Sequence, residues 1–283
     1  MTAELWDRHA STYDKHFAGL TGYIARAMLR MVEHRLPASA RILDVACGTG
    51  ALAVPAILLT DRARRERAER GVVVATDWSR AMLALTEKAA RELGADPSAY
   101  RCEAQNGESL GYEAASFDAV FSCFGIFLFN DRRAGWREAH RVLAPGGTLV
   151  SSVWQGPSTN EMLRVQMAPI AAALPERLRA PKPGGWTEIA EAPALCAELA
   201  ACGAWSDLRA YPFHASIAFG DWSALWDAMQ NNPVMGELLR QCSSDELELV
   251  RRAVFAKLSE TAGGADKPLV MEAVCNIVIA TKA

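Results

Sequence analysis

The chain has 283 residues, a formal net charge of -3 at pH 7 and 51% hydrophobic residues. The length allows one large domain or one domain with a smaller appendage, and the apolar content suffices for a sizeable core. A charge this small leaves no electrostatic footprint for nucleic acid. The longest apolar run, 119–129, is too short to span a bilayer, and the first residues lack a signal-peptide pattern. Seven cysteines without a C-x-x-C spacing argue against disulfides and zinc, so we expect a soluble cytoplasmic protein.

The first 40 residues have helical periodicity. Apolar and aromatic residues recur at spacings of three and four, which predicts one amphipathic helix or two short ones, followed by a second helix over 20–36 that Pro37 ends. The simplest role of these helices is to cover the sheet. The alternative is that Tyr13, His16 and Phe17 close over a bound ligand.

A short apolar strand over 42–46 contains Asp44 and runs into a glycine turn at 47–50, which a helix follows. Glycine lets the backbone turn sharply, and the first N–H groups of the helix point at whatever occupies the turn. A dinucleotide pyrophosphate is one candidate ligand, because Gly48, Gly50 and Ala53 fit G-x-G-x-x-A. S-adenosylmethionine (SAM) is the other. Asp44 favours SAM, since a carboxylate there repels a pyrophosphate and attracts an ammonium.

Strands and helices then alternate up to residue 154, which predicts a doubly wound, mostly parallel α/β sheet. The predicted strands are 72–76, 100–104, 117–123 and 148–154, and the helices between them are 51–70, 79–93 and 132–143. Ligands of such sheets bind outside the carboxyl ends of the strands, where the loops 47–50, 77–78, 105–107 and 123–129 fall. Asp77, directly after the second strand, either holds a ribose diol or caps the next helix.

Beyond residue 154 helical segments dominate. We predict helices over 155–178, 186–202, 221–229 and 245–259, strands over 207–219 and 269–281, and a hinge-like turn at 181–185. There is no internal repeat. We therefore expect one domain with a helical cap.

Four motifs identify a family resemblance: Leu43-Asp-Val-Ala-Cys-Gly-Thr-Gly50, Asp77-Trp-Ser-Arg-Ala-Met-Leu83, Ser116-Phe-Asp-Ala-Val120 and Arg141-Val-Leu-Ala-Pro-Gly-Gly147. With them the chain resembles class I SAM-dependent methyltransferases over essentially its whole length. The opening Trp6-Asp-x-x-Ala-x-x-Tyr13-Asp14 is similar to the ubiquinone-biosynthesis-type branch, which methylates small molecules. Neither set of motifs identifies a substrate.

The resemblance implies a seven-stranded, Rossmann-like sheet with one antiparallel strand, in a single domain over 1–283. Within it, 1–40 would form the N-terminal helices and 41–154 the SAM-binding core. The helical lid would comprise 155–206 and 221–262, and the final strands would be 207–219 and 269–281.

The resemblance also implies roles for single residues. Asp44 and the turn that contains Ala46, Gly48, Thr49 and Gly50 would hold the amino-acid tail of SAM, and Asp77 the ribose. The adenine would be packed by Trp78 and Met82 and edged by Asn106 and Gly107, and Cys123 would line the methionine end. Many relatives carry Asp where this chain has Asn106, so its bond to the adenine amino group would be neutral. The product would be S-adenosylhomocysteine (SAH).

Methyl transfer needs an in-line nucleophile about 3 Å away and little water, because the sulfonium carbon is already activated. Aromatic side chains exclude water and face the cation with their ring quadrupoles. The candidates for this enclosure on the substrate side are Phe124, Phe127, Phe129, Trp154 and Trp186, with Tyr13 on the cofactor side. Each of these rings is alternatively ordinary core.

A general base is needed only for poorly acidic nucleophiles. His16 and His214 are the two candidates, although no His–Asp pairing is visible in the sequence. No metal site is expected, because Asn130 and Asp131 are better explained as a helix cap than as metal ligands.

Three function classes remain open. The leading one is metal-independent methylation of a small, largely apolar or aromatic metabolite. The second is an NAD-dependent oxidoreductase, against which Asp44 and the lack of a separate catalytic domain argue. The third is a methyltransferase-like fold that binds SAM but catalyses another reaction or only binds. The sequence leaves the accepting atom and the oligomeric state open.

Overall fold

The computed structural model describes residues 2–67, 71–178, 185–261 and 264–283. Its centre is a seven-stranded sheet in the order β3-β2-β1-β4-β5-β7-β6. The strands are β1 Arg41–Val45, β2 Val72–Asp77, β3 Tyr100–Ala104, β4 Phe117–Cys123, β5 Leu143–Trp154, β6 Trp205–Phe219 and β7 Leu269–Lys282. β7 runs antiparallel to both of its neighbours, and the other pairings are parallel. The predicted fold class is confirmed.

Helices cover the sheet on both sides. They are α1 Ala3–Val32, α2 Ala53–Arg67, α3 Arg80–Glu92, α4 Arg132–Val142, α5 Glu161–Ala173, α6 Ala192–Ala200, α7 Trp222–Asn231, α8 Pro233–Leu239 and α9 Ser244–Thr261. Strands β1, β2 and β4 are apolar and buried along most of their length, as expected of central parallel strands with helices on both faces. In the part of the chain described, no helix is long and apolar enough to cross a membrane.

The prediction of separate N-terminal helices is wrong. α1 is a single helix of 30 residues, and a short 3-10 turn, Glu33–Arg35, follows it. The segment before Pro37 contains no proline that would end a helix. Gly19 lies within α1, and a Cβ there would meet nothing within 4 Å, so this glycine does not mark a close contact or a break. The buried residues Leu20, Ile24, Met28 and Val32 continue one apolar face to the end of the helix. One helix therefore contributes residues both to the core and to the walls of the site described below.

The helices of the second half also differ from the prediction. The predicted helix 155–178 is shorter, because Asn160 caps α5, and 186–202 divides into a 3-10 turn, Trp186–Ile189, and α6. α8 was not predicted. It begins at Pro233, and the side-chain oxygen of Asn232 caps it by accepting from the N–H groups of Val234 and Met235, both at 2.9 Å. Most of the predicted hinge, 181–184, lies outside the described residues.

Candidate functional site

The loop after β1 has an unusual backbone. Within five residues, Ala46, Gly48 and Gly50 have φ values of 57, 55 and 93°. A positive φ at a residue other than glycine is uncommon and is frequent near functional sites. The turn is fixed from outside, because the N–H of Gly48 donates to Asp77 Oδ2 at 3.0 Å and Thr86 Oγ1 donates to the Gly48 carbonyl at 2.9 Å. This loop is held open by contacts with β2 and α3.

Asp77 ends β2 and is almost fully buried. Its second oxygen, Oδ1, accepts from the N–H of Ser79 at 2.9 Å. The alternative that Asp77 caps α3 is wrong, because Ser79 is the N-cap and its hydroxyl accepts from the N–H of Met82 at 3.1 Å. Burial raises the pKa of Asp77 to about 6, against the two backbone N–H bonds, which lower it. A hydrogen-bond donor in the neighbouring cavity would therefore stabilise the ionised form of Asp77.

Asp44 is buried in the middle of β1, with 1% of its surface exposed. Neither carboxylate oxygen has a hydrogen-bond partner among the described residues. Burial raises the pKa of Asp44 well above its ordinary value, and the nearby Ala53 N–H, which lies outside hydrogen-bond geometry, lowers it by less. Asp44 lies close to two other ionisable groups: the Asp77 carboxylate raises the pKa of Asp44, and the Asp44 carboxylate raises the pKa of Cys123. A buried, unpartnered acid is costly to keep, so it points to a ligand that pairs with it.

A cavity of about 610 Å³ lies over the glycine turn, and we call it the cofactor cavity. Of the residues predicted to bind the cofactor, its walls contain Tyr13, Ala46, Gly48, Thr49, Asp77, Trp78, Met82 and Cys123. A Cβ at Gly48 would meet nothing within 4 Å, so the space above this glycine is open. Gly50 lies beneath the turn, where a Cβ would be 2.8 Å from the Val54 side chain. Gly48 thus leaves space in the cavity, whereas Gly50 is required by packing.

Asn106 and Gly107 line a small adjoining pocket that shares Ala46, Asp77 and Trp78 with the cofactor cavity. Asn106 Oδ1, the atom predicted to accept from adenine, already accepts from the Glu108 N–H at 3.0 Å. One lone pair of this oxygen is therefore used within the loop. A Cβ at Gly107 would lie 2.5 Å from the Phe129 ring, so only glycine fits there.

Phe129 is on the cofactor side. It lines the cofactor cavity and the adjoining pocket, and it is absent from the walls of the second cavity described next. Its predicted place on the substrate side is wrong. The reason is that Phe129 follows the short 3-10 turn Ile126–Leu128, which turns successive side chains to different sides.

A second cavity, of about 990 Å³, adjoins the first, and we call it the acceptor chamber. Trp6, Tyr13, Thr21 and Leu128 line both cavities. The remaining walls contain Phe17, Leu20, Phe124, Phe127, Trp154, Met162, Leu163, Gln166, Met167, Asn232, Pro233, Val234 and Met235. The two cavities therefore share one wall near the carboxyl ends of the strands.

Two aromatic side chains form a flat wall in the acceptor chamber. Phe124 stacks on Trp154 with ring centroids 4.0 Å apart and an interplanar angle of 17°. Phe124 has a φ of 55°, and its N–H donates to Ser152 Oγ at 3.0 Å, so a strained backbone aims this ring. Phe127 packs edge-on against Phe124. Trp186 begins the 3-10 turn before α6, and its side chain lies outside the described part of the chain.

Neither candidate histidine lines the two cavities. His16 lies beside Phe17, and its Nε2 is 3.3 Å from Asp227 Oδ2 on α7. His214 lies on the edge strand β6 with its side chain 62% exposed, 2.7 Å from Glu272. Both histidines have acidic partners that the sequence did not reveal, because the partners are more than 50 positions away. The structure does not bring His214 to the site.

Two thiols belong to the site. Cys47 and Cys123 line the cofactor cavity, and all seven cysteines are free. Burial raises the pKa of both thiols well above the ordinary range, and the neighbouring carboxylates raise it further. The predicted cap at Asp131 is confirmed, because its side chain accepts from the Ala134 N–H at 2.9 Å.

Sequence reasoning missed Asp7, which attaches α1 to the loop behind Asp77. Asp7 Oδ1 accepts from Ser79 Oγ at 2.6 Å and from the Ala81 N–H at 3.0 Å. These bonds lower the pKa of Asp7, so it stays charged at neutral pH. The motif around Trp6 contained this acid, but its partner could not be identified from spacing alone. Asp7 positions the part of α1 that covers the cofactor cavity.

Replacing Asp7 by Ala is expected to weaken SAH binding about tenfold. The loss of one charged hydrogen-bonded contact corresponds to about 1.5 kcal/mol and frees the start of α1. Calorimetric titration with SAH measures the change. Asp14→Ala is the control, since Asp14 is an exposed acid of the same helix outside both cavities. Equal affinities for the two variants would show that the contact of Asp7 does not hold the site.

The sheet order, the glycine turn after β1 and the acid after β2 agree with the predicted resemblance to class I SAM-dependent methyltransferases. Residues 43–151 match the model of a family described as "Methyltransferase domain". The chain is 40% identical over 110 residues to a demethylmenaquinone methyltransferase of Deinococcus radiodurans, covering 39% of this chain and 41% of the relative. The chain thus spans less than half the length of the first curated relatives that it matches.

Two solved structures share the fold. The YcgJ protein of Bacillus subtilis superimposes with a TM-score of 0.57 at 17% identity, over 91% of this chain and 98% of that one. A SAM-dependent methyltransferase of Thermotoga maritima, a possible histamine N-methyltransferase, gives 0.52 at 16% identity over the full length of both chains. Together with the family match over 43–151, these findings confirm the predicted resemblance and the fold class.

Proposed function

We propose that the chain transfers the methyl group of SAM to a small, largely apolar or aromatic molecule bound in the acceptor chamber. The observation that carries this proposal is the shared wall of the two cavities. A donor over the glycine turn and an acceptor against Phe124 and Trp154 would meet beside Tyr13 and Thr21. Methyl transfer requires that kind of contact between two ligands.

The residues of the cofactor cavity fit SAM. The open space over Gly48 would admit the amino-acid tail. Asp44 does not itself line the cavity, but its orphaned carboxylate lies near Asp77 and would pair with the ammonium of the tail. Asp77 would accept from the ribose hydroxyls, while Trp78 and Met82 would pack against the adenine. When bound, SAM supplies a sulfonium-activated methyl group, so the chain need only bind, orient and exclude water.

None of the described residues that line the acceptor chamber offers a base to the acceptor at neutral pH. Tyr13 is the only ionisable side chain among the described residues that line the acceptor chamber. Burial raises its pKa, so its hydroxyl remains protonated and serves as a hydrogen-bond donor. We therefore propose no base role for His16 or His214, and an acceptor whose nucleophilic atom ionises by itself or needs no deprotonation.

We also propose a small-molecule acceptor in preference to a nucleic acid, on the grounds of the net charge of -3 and the apolar chamber. The seven free cysteines support a reducing compartment such as the cytoplasm. The helices α5 and α8 contribute walls to the chamber, and we propose that they act as its cap within one domain.

The test compares thermal unfolding in buffer, with SAH and with NADH. A ligand at about 100 times its dissociation constant adds about 2.7 kcal/mol to the free energy of unfolding. A shift with SAH alone is expected, and transfer of labelled methyl from SAM to an aromatic acceptor then establishes the reaction. A shift with NADH alone would contradict the proposal. A shift with SAH but no transfer to any acceptor would favour a protein of this fold that binds SAM for another purpose.

A further inference from the structure

The chemistry of the acceptor chamber restricts what it can bind. Among the described residues that line it, none is Asp, Glu, Lys, Arg or His. The walls are aromatic rings and aliphatic side chains, together with the thioethers of Met162, Met167 and Met235. An ionised carboxylate, phosphate or ammonium would lose water there without gaining a partner of opposite charge. The chamber therefore favours uncharged molecules.

Two amide side chains interrupt the apolar walls. The side-chain amide of Gln166 of α5 has no hydrogen-bond partner among the described residues. Asn232 uses Oδ1 to cap α8, which leaves its Nδ2 group as a donor without a described partner. Both residues are half-buried, and their polar atoms are not among the fully buried groups without a partner. Both amides are thus available to a polar atom of a ligand, which would replace the water that reaches them in the free protein.

The position of these amides separates them from the reacting end. Both line the acceptor chamber and neither lines the cofactor cavity, whereas Tyr13 and Thr21 line both. An acceptor whose reacting atom lies beside Tyr13 would thus present its other end to the amides. The stacked rings of Phe124 and Trp154 line the same chamber and offer an aromatic surface to the molecule that spans it.

We propose that Gln166 and the Nδ2 group of Asn232 select the acceptor, which is an uncharged, flat aromatic molecule with a hydrogen-bond-accepting group remote from the methylated atom. This inference rests on the proposed function, because it takes the chamber as the acceptor site. The amides discriminate by the direction of the hydrogen bond, donated or accepted, as well as by polarity. Asn232 can only donate, since its oxygen is engaged by the helix, so a carbonyl or ether oxygen suits the site better than a donor.

The test uses three rigid probes of similar shape on SAH-saturated protein, measured by calorimetric titration. They are 6-acetyl-2-naphthol, which carries a remote carbonyl, 6-isopropyl-2-naphthol, which lacks it, and 6-hydroxy-2-naphthoate, which carries a charge. The ketone is expected to bind about tenfold more tightly than the isopropyl compound, as one satisfied hydrogen bond implies. The carboxylate is expected to bind at least tenfold more weakly than the ketone. Equal affinity for the three probes would overturn the inference.

Variants then assign the selectivity. Gln166→Met keeps the length of the side chain and removes its donor, and Asn232→Asp keeps the cap of α8 and removes Nδ2. Each is expected to lower the preference for the ketone over the isopropyl compound severalfold, with unchanged SAH affinity. Gln241→Met is the control, because Gln241 is exposed and lines neither cavity. A preference that survives both substitutions would overturn the assignment while leaving the proposed function intact. Failure of the wild-type protein to bind SAH would instead contradict the proposed function itself.

Discussion

Replacing Asp44 by Asn is expected to weaken SAH binding about 10- to 100-fold and, at neutral pH, to raise the stability of the ligand-free protein. The affinity falls because a hydrogen bond to a charged group contributes about 1.5–3 kcal/mol. The stability rises because Asp44 is buried without a hydrogen-bond partner and its pKa lies well above the ordinary value. Titration with SAH and denaturant unfolding of the free protein measure the two effects.

The stability gain of Asp44→Asn depends on pH with a definite sign. Above the ordinary pKa of an aspartate the unfolded chain has lost its proton, whereas the folded chain keeps it until the pH exceeds the raised pKa. The folded state then holds more protons, so the wild-type free energy of unfolding falls as the pH rises, by up to about 1.4 kcal/mol per unit. The difference between variant and wild type should therefore grow from pH 5 to pH 7. A difference independent of pH would mean that Asp44 is paired in the folded protein.

Gly48→Ala is expected to lower SAH affinity at least about 100-fold while leaving the protein folded. The new methyl group would enter the open space over the turn, where nothing lies within 4 Å in the free protein. Without ligand, the variant should lose only the free energy of backbone strain, about 1–2 kcal/mol for an alanine at a φ of 55°. Calorimetry with SAH and thermal unfolding without ligand separate the two contributions.

Gly50→Ala, two residues further on, provides the comparison. Its Cβ would lie 2.8 Å from Val54 and 3.1 Å from Thr86, so packing conflict adds about 1–3 kcal/mol to the backbone strain. This variant should lose more stability than Gly48→Ala. If Gly48→Ala bound SAH normally, the ligand would not lie over the turn, and the assignment of the cofactor cavity would be wrong.

The sequence predicted the parts of the site that depend on local pattern. The glycine turn, Asp44 and Asp77 follow from short motifs, and the parallel order of β1, β2 and β4 brings their loops to one edge. Each of these features is set within a few residues, or by a topology that many sequences share.

The acceptor chamber could not be predicted in the same way. Its walls join α1 with α5 and with the start of α8, segments separated by more than 60 residues. Periodicity shows that one face of a helix is apolar, but it does not distinguish packing against core from lining a cavity. The same limit explains Phe129, which was assigned to the wrong cavity, and His16, whose partner Asp227 lies on α7.

The two thiols beside the proposed methyl donor raise the question of whether the protein would methylate itself. A sulfonium methyl group is an alkylating agent, and sulfur becomes a strong nucleophile only as the thiolate. Cys47 and Cys123 both line the cavity in which such a group would reside. Their burial beside Asp44 and Asp77 raises the pKa of each thiol and keeps it protonated. Burial, together with the neighbouring carboxylates, would thus also shield the protein from methylating itself at these two thiols.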